Sequence, residues 1–482
     1  MNQQTSFGDA NCGSQVAQNH GSVADQNHGN ITNHFHSGAV ESESLSDTLC
    51  LRYLCTTNPR DGKKRIEETK GGLLKDSYRW IVDNEDYQSW HADTSVNLLW
   101  IKGDPGKGKT MLTCGIIDEL ERDIGDKANI SFFFCQATDE RINSAISVLR
   151  AFIYLITEKQ PSLLSHVRKR YDQAGKQLFE NMNTWQIWQS LTGILSDILV
   201  DPSLRRTYFL IDALDEYLTD MPKLLNFISG LSLPGSLAIN WIVSGRNLPI
   251  IDEHLNCANE KIGLSLELNE KSVSEALAFY IDEKIQQLAR KEMYSSDTRE
   301  AVYQHLRANA HGTYLWVALV YEKLQKARSW KTLKLLTSFP PGLEPLYKQM
   351  LDRVQASEDA DIFSEVLATV FTVYRPIGLE ELFTLVDLPH DVNVGCLPEL
   401  IKSCGSFLTL HGDRIFFVHQ SAKDFLVDRA SSLIFPSGAA AQHSLFCHTY
   451  YPFFSAHSDV TCMGPASLLQ ETNLTKRKFL IH

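Results

Sequence analysis

From about Gly71 onward, short apolar runs alternate with helix-length amphipathic stretches. This is the pattern of βαβ units built around a parallel sheet. The runs Asn97–Ile101, Ile130–Cys135, Tyr208–Ile211, Ile239–Ser244 and Leu264–Leu268 predict strands, and Met111–Arg122, Ala145–Glu158 and Trp185–Leu199 predict helices between them. After Leu268 the strand signal stops. Ser272-Val273-Ser274-Glu275 reads as a capping box that opens a helix through about Leu288. Helices then dominate to about Tyr374. Two short helices follow, over Leu379–Leu388 and near Leu397–Cys404. Phe407–Leu410 and Ile415–Val418 flank His411-Gly412-Asp413 as a hairpin, so helices followed by a two-stranded wing predict a winged helix. No repeat of 20–50 residues marks a solenoid or propeller.

The strongest chemical signal is Gly103-Asp104-Pro105-Gly106-Lys107-Gly108-Lys109-Thr110, a complete G-x-x-x-x-G-K-[ST] pattern between a strand and a helix. Its glycines let backbone N–H groups converge on phosphate oxygens, and the helix N-terminus favours anions. Lys109 is expected to reach the β- and γ-phosphates, and the Thr110 hydroxyl to bind Mg²⁺. Tyr208–Asp212 is an apolar strand ending in an acid, which places Asp212 as the second metal contact. Asp215 and Glu216 follow, and either would orient or deprotonate an attacking water. Their clustered charge next to phosphates itself implies a divalent cation. The strand Trp241–Ser244 delivers Arg246 to the same sheet edge, to sense the γ-phosphate or stabilise transferring charge. No Asn-Lys-x-Asp element selects guanine, so ATP/ADP is the expected nucleotide.

Composition narrows the class. Of 482 residues, 43% are hydrophobic and 22% charged, ordinary for a soluble protein of several domains. The formal charge of −12 argues against a nucleic-acid partner. No apolar run approaches the ~18 residues of a membrane span, so direct membrane insertion is not expected. The N-terminus lacks a secretory pattern. Ten scattered cysteines without a CxxC pair suit reduced thiols and a cytoplasmic setting. Residues 1–40 hold no Lys or Arg, and the Asn-, Gln-, Gly- and His-rich stretch 1–36 is too poor in apolar residues to bury a core. Within it Gln18–Val23 recurs as Gln26–Ile31.

These readings predict an α/β P-loop NTPase domain (a parallel sheet flanked by helices) followed by a helical domain and a winged helix, with a disordered head. The expected boundaries are 1–36 for the head, 37–70 for a linker helix, 71–268 for the nucleotide-binding domain, 269–356 for the helical domain, 357–432 for the winged helix and 433–482 for a short tail without repeats.

Lys102–Thr110, together with Asp212-Ala213-Leu214-Asp215-Glu216, resembles the NACHT module of fungal NOD-like receptors, signal-transducing NTPases of the STAND class. The likeness runs from about Leu51 to about Phe446 and takes in Thr69–Leu74, Asn143–Ile156, Gly312–Leu324, Gly342–Val354 and Cys404–Leu426. Phe417-Val418-His419 is similar to the winged-helix F-x-H motif, which implies that His419 contacts the β-phosphate of bound ADP. Phe7-Gly8-Asp9, Asn11, Gly13, Gln15-Val16, Asn19, Gly21 and Val23 resemble sigma-type amyloid motifs at the N-termini of some fungal receptors. Few charges, no Pro and Asn/Gln ladders permit such stacking. A plain linker, or metal binding through His20, His28, His34 and His36, are the other readings of the head. Family members normally continue into sensor repeats, which are not evident before His482, so a shortened or divergent form is expected. The resemblance implies a nucleotide-controlled switch that self-associates and signals through its head to an effector with a matching motif, in programmed cell death or self/non-self recognition. The competing expectations are an AAA-type remodelling ATPase and a nucleotide-bound adaptor without turnover.

Overall fold

The computed structural model describes residues 47–434, apart from 56, 71, 93–95, 138, 176–178, 180–182, 217–220, 232–238, 256–260, 293, 374–375, 390–391 and 405–406. The head motif, residues 37–46 and the chain from 435 onward lie outside the described residues. Five strands form one sheet: β1 (Leu98–Lys102), β2 (Ala128–Phe134), β3 (Arg206–Asp212), β4 (Ile239–Gly245) and β5 (Lys261–Ser265), in the order β2-β3-β4-β1-β5. Every pairing is parallel, with Leu99 opposite Ile242 and Phe209 opposite Trp241.

A parallel sheet is covered on both faces, which is why its strands read as unbroken apolar runs. Side-chain alternation then divides β1 between two cores. Leu98 and Trp100 pack with Phe209, Trp241 and the helix α2 (Ala145–Lys159). Leu99 and Ile101 pack with Leu210, Ile242 and the helix α1 (Lys109–Ile124). Leu98, Leu99, Trp100 and Ile101 are all fully buried. Because β1 lies between β4 and β5, the carboxyl ends of β1, β3 and β4 converge at one edge, the position where open α/β sheets bind ligands. This is a P-loop NTPase fold.

Helical structure follows, including α3 (Glu270–Glu292), α4 (Tyr314–Gln325) and α5 (Leu343–Gln355). The last strand and this helix both start earlier than their sequence patterns indicate. β5 spans Lys261–Ser265 rather than Leu264–Leu268, and Ser272–Glu275 lies inside α3 instead of capping it. Leu268, counted with the strand for its apolar character, is 89% exposed in the turn that separates them. Asn269, whose carbonyl accepts from Val273 N–H, ends that turn.

The winged helix carries a three-stranded wing, not two. β6 (Ile377–Gly378) pairs antiparallel with β8 (Arg414–Phe417), which pairs with β7 (Leu408–His411). Two residues are too few to give a periodic signal, so β6 is invisible in the sequence. Gly412 closes the β7–β8 turn at φ +63°, the left-handed conformation glycine adopts without strain. The helix α6 (Gln420–Ile434) follows β8, and its Ala422, Leu426 and Ala430 share one core with Trp316, Leu346 and Tyr347 of the helical segment. Among the described residues no helix is long and apolar enough to cross a membrane.

Candidate functional site: a phosphate loop facing the winged helix

β1 ends at Lys102, and residues 103–108 turn back over it before α1 begins at Lys109. Gly106 and Gly108 hold φ +76° and +89°, which other residues rarely adopt. Space demands glycine as well. A Cβ on Gly106 would lie 2.8 Å from Thr313 Cγ2, and one on Gly108 would lie 3.0 Å from the Tyr314 ring. The start of α4 thus seals the outer side of the loop. Lys107 Nζ donates to the His311 carbonyl at 2.9 Å on the same seam. Lys109 Nζ donates to the carbonyls of Gly103 at 2.6 Å and Asp104 at 3.0 Å, so the ammonium is held under the loop. Burial draws its pKa down, opposed by Asp215 and Asp212. A desolvated lysine of this kind gains most from an anionic partner.

Asp212 closes β3 with only 1% exposure. It accepts from Thr113 Oγ1 at 3.2 Å, from the Ser244 hydroxyl and from the Thr110 side chain. Burial pushes its pKa up, against those hydroxyls and Lys109. Thr110 and Asp212 are therefore adjacent oxygen donors under the phosphate loop. Hard oxygen ligands of one carboxylate and one hydroxyl fit Mg²⁺, which takes few protein ligands and leaves room for phosphate oxygens.

The two carboxylates after Asp212 diverge. Asp215 accepts from Arg246 Nε at 2.5 Å and from the Arg246 backbone N–H at 3.0 Å. Glu216 instead accepts a backbone N–H from Ala137, and burial, with Asp215 and Asp212 beside it, pushes its pKa up to about 8. Arg246 reaches beyond the sheet: its Nη1 donates to Asp424 Oδ2 of α6 at 2.8 Å. Asp424 also accepts from Gln420 Nε2 at 3.0 Å. His419 stands at the same contact. Burial, then the charges of Lys70, Lys109 and Arg246, push its pKa well below the usual imidazole value. Three cations around a neutral imidazole make a setting for an anion. Beside the loop, Tyr78, Trp80, Gly108, Leu112, Leu266 and Tyr314 line a small, mostly apolar cleft with room for about one water-sized group.

Residues 76–246 match the family described as Nephrocystin 3, N-terminal. The vegetative incompatibility protein HET-E-1 of Podospora anserina is 49% identical over 408 residues, covering 81% of this chain. Both matches agree with the likeness to the fungal NOD-like receptors seen in the sequence. It spans 30% of that relative's length. Among solved structures, the Walker-type ATPase PABY2304 of Pyrococcus abyssi aligns over 73% of this chain and 96% of its own, with a TM-score of 0.34 and 9% identity. The ORC1 protein of Aeropyrum pernix, solved in complex with DNA, aligns over 79% and 96%, with a TM-score of 0.30 and 12% identity.

Residues far apart in sequence meet at one edge of the sheet. Gly103–Thr110, Asp212, Asp215, Glu216, Arg246 and His419 all gather there. Sequence reasoning missed Asp424, Lys70 and Tyr314. Asp424 and Tyr314 lay inside stretches already noted for their likeness to the family, and Lys70 precedes the Gly71-Gly72 pair of a third. Nothing local marked any of them as facing the phosphate loop.

Proposed function

We propose that this chain is a nucleotide-controlled signalling switch whose resting state holds ADP between the phosphate loop and the winged helix. The observation that carries the reading is the arrival of His419 and Asp424, from α6 and the residue before it, at the corner formed by Lys109, Asp212 and Arg246. A conventional ATPase has no need to bury a neutral imidazole among those cations.

In this reading the backbone of Gly106–Lys109 and the Lys109 ammonium bind the phosphates. Thr110 and Asp212 would hold Mg²⁺, which neutralises phosphate charge when bound. Arg246 is positioned by Asp215 and engaged by Asp424. A γ-phosphate near Arg246 would compete with that carboxylate, loosening the winged helix from the sheet. Loosening exposes surfaces for self-association and gathers the N-terminal heads. The heads would then stack and template an effector carrying a matching motif, with cell death in incompatibility as the output. The setting is cytoplasmic. Glu216 or Asp215 would serve slow hydrolysis as a reset, and Asp215 is already committed to Arg246.

The decisive experiment is to purify the full chain, denature it and identify the released nucleotide by chromatography. Near-stoichiometric ADP is expected, with turnover below about one per minute against a typical enzyme's ~10 s⁻¹. A preparation that retains no nucleotide and hydrolyses ATP at enzyme-like rates would overturn the switch. A peptide of residues 1–36 tests the output separately: fibrils with a spacing of about 4.7 Å support it, and persistent solubility removes it.

A further inference from the structure

His419 sits between β8 and the first turn of α6. The backbone N–H of Ser421 donates to its Nδ1 at 3.1 Å. A ring nitrogen that accepts carries no proton, so the proton of a neutral imidazole is on Nε2. Nδ1 also lies 2.8 Å from Ser421 Oγ, and that oxygen lies 3.0 Å from the Tyr347 hydroxyl. Because Nδ1 accepts, the Ser421 hydroxyl donates to it as well, sharing its single lone pair with the backbone N–H, and the Tyr347 hydroxyl donates in turn to Ser421. The chain has one direction, from α5 of the helical segment through α6 to the imidazole. Tyr347 is 2% exposed and Ser421 8%, so each hydroxyl would be costly to leave unpaired.

We propose that Tyr347 and Ser421 are positioning residues that hold His419 in its Nε2–H form, making it a neutral hydrogen-bond donor to a phosphate oxygen of the bound nucleotide. This rests on the reading of His419 as the contact that retains ADP. The chemistry favours a neutral donor: with the charges of Lys70, Lys109 and Arg246 already acting on the ring, a fourth positive charge would be repelled. A neutral N–H still binds the phosphate, yet costs little to withdraw when the domains part. Donation from Tyr347 also strengthens the Ser421 hydroxyl as a donor, since linked hydrogen bonds polarise one another. The helical segment therefore contributes to nucleotide retention without touching the nucleotide.

The test is release of fluorescent N-methylanthraniloyl-ADP from the full chain, chased with excess ADP. Tyr347→Phe removes one hydroxyl and keeps the ring, and should speed release about fivefold, the factor for one buried neutral hydrogen bond. Ser421→Ala should speed it at least as much, and Ser421→Thr, which keeps the hydroxyl, should restore near-native release. The double variant Tyr347→Phe with His419→Ala should release no faster than His419→Ala alone, because both changes act through one ring. Native release from Tyr347→Phe beside fast release from His419→Ala would overturn the positioning role, as would strictly additive effects. Native release from His419→Ala itself would instead overturn the ADP-retaining role of His419.

Discussion

The winged helix makes two contacts of opposite character. Towards the helical segment it is mostly apolar, apart from the Tyr347–Ser421 hydrogen bond and the Arg429–Glu344 ion pair. Phe407 stacks on Tyr347 with centroids 5.9 Å apart, Phe425 lies 5.6 Å from Tyr347, and Phe407, Leu367 and Leu426 are fully buried. Towards the nucleotide-binding sheet it is polar, with Arg246 bridging Asp215 and Asp424 through side chains about one-third exposed at Arg246 and Asp424. An apolar contact offers a ligand nothing to exchange for. An ion pair can be exchanged for another anion at little net cost, since partly exposed pairs contribute up to about 1 kcal/mol. The difference shows where a phosphate can intervene: it can compete for Arg246, but it has no purchase on Phe407.

The largest effect should come from the apolar side. Phe407→Ala removes a fully buried ring and should cost about 3–5 kcal/mol, read as a fall in the thermal or denaturant midpoint of the full chain. Nucleotide affinity measured below that midpoint should change far less. Equal losses of affinity and stability would erase the distinction between the two contacts. Lys109→Ala should do the reverse. Loss of two or three charge-assisted hydrogen bonds to phosphate amounts to about 3 kcal/mol, or more than 100-fold in nucleotide affinity. The midpoint of the nucleotide-free protein should barely move. Titration calorimetry of this variant that still gave native affinity would remove the phosphate loop from the argument.

The same contrast explains what was legible in the sequence. Gly103–Thr110 is a contiguous pattern whose chemistry is local, and the apolar runs of β1 to β4 are buried on both faces, so both announce themselves. Asp424 does not. Its partner Arg246 is 178 residues away, and an aspartate on an amphipathic helix looks like any solvated charge. Tyr347 and Ser421 are 74 residues apart, and their roles exist only through the ring between them. Even in the legible part, Leu268 pulled the expected last strand out of place because apolar character does not report exposure. Pattern thus locates elements and contiguous motifs, while contacts across domains depend on how elements of different cores come to face one another.

Asp424→Asn tests the polar contact with a smaller change. The amide keeps its bond with Gln420 and loses the charge that holds Arg246. Stability should fall by about 1 kcal/mol or less. Nucleotide exchange should still accelerate about fivefold, and the gap from the native protein should narrow in high salt as the native ion pair is screened. A salt-independent gap, or no acceleration, would mean that Asp424 is not what restrains Arg246.

The pH-dependent effect concerns Glu216, whose carboxyl is pushed up to about 8 by burial and by Asp215 and Asp212. An unfolded chain releases this proton near the ordinary glutamate value of about 4.3. Between those values the folded protein holds a proton that the unfolded one has lost. Stability from this group is therefore complete below about pH 4 and falls as pH rises towards 8. Lys423, whose pKa burial lowers to about 8, acts in the opposite sense but only above that window. Glu216→Gln keeps an uncharged side chain at every pH. Its melting temperature, measured with EDTA and no nucleotide, should exceed the native value by about 3 °C at pH 8 and converge with it near pH 5. Phe407 carries no proton, so Phe407→Ala should stay below the native protein by the same interval at both pH values. A Glu216→Gln curve parallel to the native one would show that Glu216 is already ionised in the folded protein, and would make it as available as Asp215 to act as a base.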